Sequence, residues 1–312
     1  MFVPIKADFE LPRFPAFTIV VCLICLVVFG KQLSDREDFA RDVHRYCMQD
    51  RSQLQQMVFS RIEELNGYGH CAELMLTIDA ADDEEQLIDD IVLEARPLVG
   101  LSFDDSRYYM KQMLEEELQR YRSIVGPRPG EGLAYYTRSW NPLTMVTSSF
   151  AHGSWMHIIG NLIFFFAFAA TVEGLVGTAM FGASIIAMSL FIGVFCSVGA
   201  YATGIHYTTV GLSGIVTGMI GMFAYLLPRG RIRCFYWFIV IFGFIAVPAW
   251  ILALWYIGSD IYRLFAVEDN GIINVMAHVS GGLAGYLFGA AFLRKAKERA
   301  RDLQLEIDVA EA

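Results

Sequence analysis

Six apolar stretches punctuate the chain, at about 14–30, 155–172, 179–202, 211–227, 234–258 and 272–293. Each approaches the roughly 20 residues that a helix needs to cross about 30 Å of hydrocarbon, so the pattern predicts six membrane-spanning helices. The first stretch is the weakest, being short, with Pro12 and Pro15 at its start. Phe29-Gly30-Lys31 lacks the small-x-small pattern of signal-peptide cleavage, which favours a retained helix. Between the first two stretches the pattern becomes amphipathic. Arg36 to Leu65 runs without proline or glycine and places Phe39, Val43, Tyr46, Met57, Val58 and Ile62 at helical intervals; Tyr108 to Ile124 repeats the style. Gly126-Pro127-Arg128-Pro129-Gly130 then breaks the chain before the membrane is re-entered. A small helical domain is expected over 31–140.

Composition agrees with the pattern. Of 312 residues, 55% are apolar or aromatic and 18% charged, and the mean hydropathy is +0.44, too apolar for an ordinary soluble domain. With 24 Phe, 14 Tyr and 13 Met the chain is not disordered, collagen-like or a small disulfide scaffold. The net charge of −9 lies in one place: residues 31–139 hold 22 acidic and 13 basic side chains, whereas Trp140 to Leu293 contains four of each. Nucleic acid and anionic lipid would be repelled by that acidic segment and are not expected as its partners. The run Asp82-Asp83-Glu84-Glu85 lacks the alternating oxygen ligands and glycine of a calcium loop and reads as a solvated helix start.

Basic residues in short loops set the expected orientation. Arg229, Arg231 and Arg233 separate the fourth and fifth stretches, and Arg294, Lys295, Lys297, Arg299 and Arg301 follow the sixth, which puts both places in the cytoplasm. Lys6 and Arg13 put the N-terminus there as well, consistent with an even number of spans. The 31–140 segment, the loop near His206 and the connection bearing Asp260, Glu268 and Asp269 then lie outside. The expected division is an N-terminal segment with the first helix (1–30), an acidic extracytoplasmic helical insertion (31–140), a transmembrane core (141–293) and a charged cytoplasmic tail (294–312). Compact length and the lack of an organelle-targeting stretch point to a bacterial inner membrane, with a eukaryotic compartment as the alternative. Cys47 and Cys71 are the two cysteines in the insertion; they form a disulfide if that compartment is oxidising, or stay as buried thiols. Cys22 and Cys25, set among Val20, Val21, Leu23 and Ile24, read as packing residues.

Polar groups inside a bilayer are costly and are functional candidates by default. The second stretch opens with His152 and His157 and carries Asn161, the fourth opens with Gly211-Leu212-Ser213-Gly214, and the sixth contains Ala277-His278-Val279-Ser280-Gly281. At 1.5 Å per residue, Ser213 lies a few ångströms, and His278 about 9 Å, inside the outer ends of their helices. His157 and Asn161 enter from the same side, so all four share one level. Gly214, Gly218 and Gly221 on one helix, and Gly281, Gly285 and Gly289 on the face of His278 on another, would let two backbones approach closely. A serine hydroxyl beside an imidazole is the arrangement that activates a nucleophile by a general base. The unpaired N–H groups at the helix start around Ser213, with His157 and Asn161 one turn apart, could hold an oxyanion. No carboxylate stands at that depth, so the pair would be a dyad. Each feature also has a plainer reading: serine bonded to its own backbone, glycines as packing, histidine as helix glue. A zinc site from His152, His157 and His278 is disfavoured, since the i, i+5 spacing splays the first two and H-E-x-x-H is missing. His44, His70 and His206 are expected to be solvent-exposed.

The strings His152-Gly-Ser-Trp-Met-His157-Ile-Ile-Gly-Asn161, Gly211-Leu-Ser213-Gly214 and Ala277-His278-Val-Ser-Gly281-Gly-Leu-Ala-Gly285 resemble those of the rhomboid intramembrane serine proteases. They occur in the family's order and on its second, fourth and sixth helices, and the resemblance covers about 143–293. It implies an all-α, polytopic, six-helix bundle, here with the helical domain inserted between helices 1 and 2. It further implies Ser213 as nucleophile, His278 as general base, and His157, Asn161 and the Ser213 N–H as oxyanion hole. His152 matches a structural or water-holding histidine and Glu173 a structural glutamate. Two departures stand out. Many members have an aromatic residue four positions after the serine, where this chain has Thr217, and the family's Trp-Arg pair is absent from the first external loop, where Arg138-Ser139-Trp140 is at best an inversion.

The expected function is hydrolysis of peptide bonds in or near transmembrane segments of other membrane proteins, with the lipid bilayer as surroundings and without metal or organic cofactor. The insertion would contact substrates or a regulator. The alternatives are an inactive rhomboid-like protein that binds membrane clients, and a small transporter, against which the single depth of the polar residues and the lack of an internal repeat argue.

Overall fold

The computed structural model describes residues 2–7, 13–63, 71–81, 83–238, 241–266 and 271–310. The chain divides into two compact units, one formed by 1–32 with 132–312 and the other by 33–131. Strand β1 (Phe2–Ala7) leads to helix α1 (Ala16–Cys47), whose first half belongs to the membrane unit and whose second half belongs to the insertion. Pro15 precedes its first residue, where a fixed φ and a missing N–H cost nothing. Glu173, buried in the second apolar stretch, accepts from the Phe17 N–H (2.9 Å), the Thr18 N–H (2.7 Å) and the Thr18 hydroxyl (2.8 Å). These are the orphan donors of a helix N-terminus, where negative charge is favoured.

The insertion is helical, as the amphipathic pattern predicts. It comprises the end of α1 and helices α2 (Gln53–Glu63), α3 (Cys71–Ala80), α4 (Glu84–Glu94) and α5 (Phe103–Ile124) around a core that includes Val43, Tyr46, Val58, Ile62, Met75, Ile91 and Leu114. The long run expected from Arg36 to Leu65 is two helices. Ser52 and Gln55 interrupt it with a reciprocal capping box: the Gln55 N–H donates to Ser52 Oγ (3.2 Å) and the Ser52 N–H to Gln55 Oε1 (2.8 Å). Asp83 caps α4 by accepting from the Gln86 N–H at 3.0 Å, so the acidic run is a helix start; Asp82, like Leu65 and His70, lies outside the described residues. Cys47 and Cys71 are joined by a disulfide with Cα atoms 5.8 Å apart. Glu117, 3% exposed, accepts from Tyr46 Oη (2.5 Å) and Gln55 Nε2 (2.6 Å), which satisfies a carboxylate inside the core.

The membrane unit resumes with β2 (Tyr135–Tyr136), α6 (Pro142–Thr147), α7 (Trp155–Val176), α8 (Thr178–Thr203), β3 (Thr208–Thr209) and α9 (Ser213–Leu226). It continues through β4 (Arg231–Phe238), β5 (Ile241–Pro248), α10 (Ala249–Ala266), α11 (Gly271–Phe292) and α12 (Arg294–Ala310). The insertion is narrower than the expected 31–140 because β2 pairs antiparallel with β3 and draws the residues after Glu131 into the membrane unit. Among the described residues, Ala16–Cys47, Trp155–Val176, Thr178–Thr203 and Val275–Phe292 are long and apolar enough to cross a membrane. The chain is therefore a helical, polytopic membrane protein.

The fifth apolar stretch departs from expectation. Instead of one helix over 234–258, β4 and β5 form an antiparallel hairpin, with Arg231 opposite Pro248 and Phe238 opposite Ile241, and β1 adds to the free edge of β4. Cys234 to Val247 is dominated by aromatic and β-branched side chains, which suit a pleated surface, and Pro248 resets the chain for α10. The fifth helix thus starts fifteen residues later than the pattern suggests. Glu268 and Asp269 lie outside the described residues.

Candidate functional site

Helices α9 and α11 meet backbone to backbone, and glycine makes this possible. A Cβ on Gly281 would lie 2.1 Å from the Gly214 carbonyl oxygen, on Gly285 1.8 Å from that of Gly218, and on Gly221 2.1 Å from that of Gly282. Any side chain there would overlap backbone of the other helix. A Cβ on Gly289 would lie 2.8 Å from the Tyr225 ring, and Lys297 of α12 lies over that ring at 4.1 Å.

Ser213 is the first residue of α9 and is half-buried. The approach to it is fixed by backbone: Tyr135 pairs with Thr209, and the Gly211 N–H donates to the Ser148 carbonyl at 2.8 Å. Gly211 has φ +119°, a conformation that favours glycine, and its missing Cβ would lie 2.7 Å from His157 Nε2 and 3.6 Å from Asn161 Nδ2. The main chain entering Ser213 is thereby pressed against both of those side chains. Asn161 is 4% exposed, and its Nδ2 has no hydrogen-bond partner. A buried amide donor left in that condition is costly unless something else accepts from it.

His157 stands in the first turn of α7, whose N-cap Ser154 accepts the His157 N–H at 3.2 Å. His278 is buried, and its ring lies 5.9 Å from that of Tyr256 on α10. Ala277, just before it, contacts the vacant side of Gly214, just after Ser213: a Cβ on Gly214 would be 3.3 Å from the Ala277 carbonyl. A cavity of about 30 Å³ opens at this point, with Ser213, Gly211, Ala277, Ser148, Ser149 and Ser189 among its walls. It is large enough and polar enough to hold water.

His152 is fully buried just before α7. Its N–H donates to Gln32 Oε1 (3.0 Å), and its Nδ1 lies 3.2 Å from the Phe150 carbonyl, which can only accept and so places the ring proton on Nδ1. Burial, and then His157 5.2 Å away, push its imidazole down to about 4. It is neutral at pH 7. Glu173 faces the start of α1 and takes no part in this cluster. Thr217 is buried and spends its hydroxyl on the Gly214 carbonyl at 2.8 Å. His206 is half-buried against Tyr201 (4.9 Å) rather than solvent-exposed, because the β2–β3 pairing folds its loop back.

A model of the rhomboid domain matches residues 139–295, half of the chain. The chain belongs to the rhomboid family. Within curated proteins it is similar to the mitochondrial presenilin-associated rhomboid-like proteins of Homo sapiens and Pongo abelii, each 24% identical over 147 residues. That alignment covers 45% of this chain and 35% of the length of those relatives. The rhomboid match contains His152, His157, Asn161, Glu173, Ser213 and His278, and none of the 33–131 unit. Two further residues hold the surroundings of the site through the backbone. Gln32 acts across 120 positions on the backbone of His152, and Ser148 fixes Gly211 through its carbonyl, which any residue could supply. Neither carries a local signal.

Proposed function

We propose that this rhomboid is an intramembrane serine endopeptidase in which Ser213 and His278 form the dyad. The observation that supports it most is the unpartnered, buried Asn161 amide beside Gly211 and His157, at the helix start that bears Ser213. It is a donor waiting for an acceptor. Ser213 Oγ attacks the scissile carbonyl carbon while its proton passes to the His278 imidazole. The resulting oxyanion accepts from Asn161 Nδ2, His157 and the Ser213 N–H. Collapse expels the amine, which takes the proton from His278, and water hydrolyses the acyl-enzyme by the same route in reverse. Substrates are transmembrane proteins whose helix unwinds locally, because a helical peptide bond is shielded by its own hydrogen bonds. The site opens to the extracytoplasmic side of a bacterial inner membrane, and the acidic insertion selects substrates or receives a regulator.

The test uses a serine-directed phosphonate and a model transmembrane substrate with the native chain, Ser213→Ala and His278→Ala. Labelling at Ser213, with cleavage lost in both variants, is the expected result. Cleavage surviving in both removes the dyad; clients bound without cleavage by all three proteins point to an inactive, client-binding rhomboid. Deleting 36–125 should change cleavage of natural substrates, and unchanged cleavage would dismiss the role given to the insertion.

A further inference from the structure

A general base buried among apolar helices needs something to hold its ring. The neighbouring position on α9 is Thr217, where resemblance to the family would favour an aromatic ring. The structure gives a reason for a small residue there. Thr217 Oγ1 would be 2.5 Å from a Cβ on Gly281, so the α9–α11 contact is closed at that level. A ring on α9 would wedge apart the glycine faces on which the contact depends.

The ring comes from elsewhere. Tyr256, on α10, has its centroid 5.9 Å from that of His278 with planes tilted by 52°, and Phe164 of α7 backs Tyr256 at 5.1 Å and 53°. Three rings from three helices form a row that ends on the imidazole. Their spacing is that of favourable aromatic pairs. A flat, apolar neighbour restricts rotation of an imidazole about its last torsion and keeps water from one face of it. We propose that Tyr256 is a positioning residue for His278, replacing from α10 the ring that α9 has no room to supply. This rests on the assignment of His278 as general base. Tyr256→Phe keeps this ring and Tyr256→Leu removes it.

The experiment compares full-length Tyr256→Phe and Tyr256→Leu with the native protein, Ser213→Ala and His278→Ala in reconstituted vesicles. Two readouts are taken: kcat and KM on a transmembrane substrate, and the rate at which a small water-soluble phosphonate labels Ser213. Tyr256→Leu is expected to lower kcat and the labelling rate together, on the order of tenfold to a hundredfold, with KM little changed, and Tyr256→Phe is expected to recover most of the loss. A residue that only packs α7 against α10 or controls substrate entry would move KM and leave labelling by the soluble probe intact; that result overturns the proposal. Tyr256→Met, of similar volume but without a planar face, carries the same decision if the leucine variant does not accumulate. Should Ser213→Ala or His278→Ala still cleave, the protease assignment fails first. If both are inactive and Tyr256→Leu matches the native kcat, only the role of Tyr256 falls.

Discussion

Asn161 carries an amide nitrogen with no hydrogen-bond partner, so the folded state loses little when it is removed. Asn161→Ala should therefore lower kcat on the order of a hundredfold while leaving the melting temperature in detergent nearly unchanged. A large drop in melting temperature would show that the amide serves the fold instead. His152 is the reverse case, a group whose chemistry is structural. Its folded-state value of about 4 lies below the ordinary 6.5, so between these the unfolded chain binds more protons, and stability rises with pH across that window and levels off above it. Melting curves taken from about pH 4 to 7 should rise more steeply for the native protein than for His152→Gln; parallel curves would assign the slope to other groups. At this scale the sequence drew notice to polar residues that must justify their presence in lipid. Gln32 and Tyr256 were not legible. One looks like an ordinary residue near a membrane boundary, the other like one more aromatic, and only proximity across the fold gives either a task.

At the level of elements, the glycine faces of α9 and α11 were legible because a repeat of small residues at helical spacing has few other uses. Their cost of disturbance is correspondingly high. Gly285→Ala would place a Cβ 1.8 Å from the Gly218 carbonyl oxygen, backbone that cannot step aside without moving the helix. It should destabilise the membrane unit by about 3 kcal/mol or more, measured as a fall in melting temperature, and activity should fall with it; a neutral result would mean that the helices do not approach this closely. The 234–258 stretch was misleading for a physical reason. A run of apolar residues satisfies the length criterion for a spanning helix whether or not its side chains prefer a strand. Its aromatic and β-branched content, and Pro248 near its middle, were the signals that distinguish a hairpin followed by a shorter helix. The break between α1 and α2 was likewise written only in a serine and a glutamine three residues apart.

For the molecule as a whole, charge alone suggested an acidic insertion at 31–140, and the compact unit in the structure runs from 33 to 131. The insertion has its own core and its own covalent tie, Cys47 to Cys71, closing a loop with a sequence separation of 24. Cys47→Ser should lower its stability by about 3 kcal/mol. Limited proteolysis of the full-length protein, with cleavage sites mapped to 33–131, should show faster nicking in the variant and in the native protein under reductant. Equal rates in all three would mean that the thiols are not bonded in the mature chain.

The first helix is fastened twice. Glu173 grips its opening turn at Phe17 and Thr18, and Gln32 reaches the backbone at His152, two moorings about 22 Å apart along the axis. Sliding like a piston would break both sets together, whereas tilting about either one would not. Leaning therefore costs this rod less than travelling along its own axis.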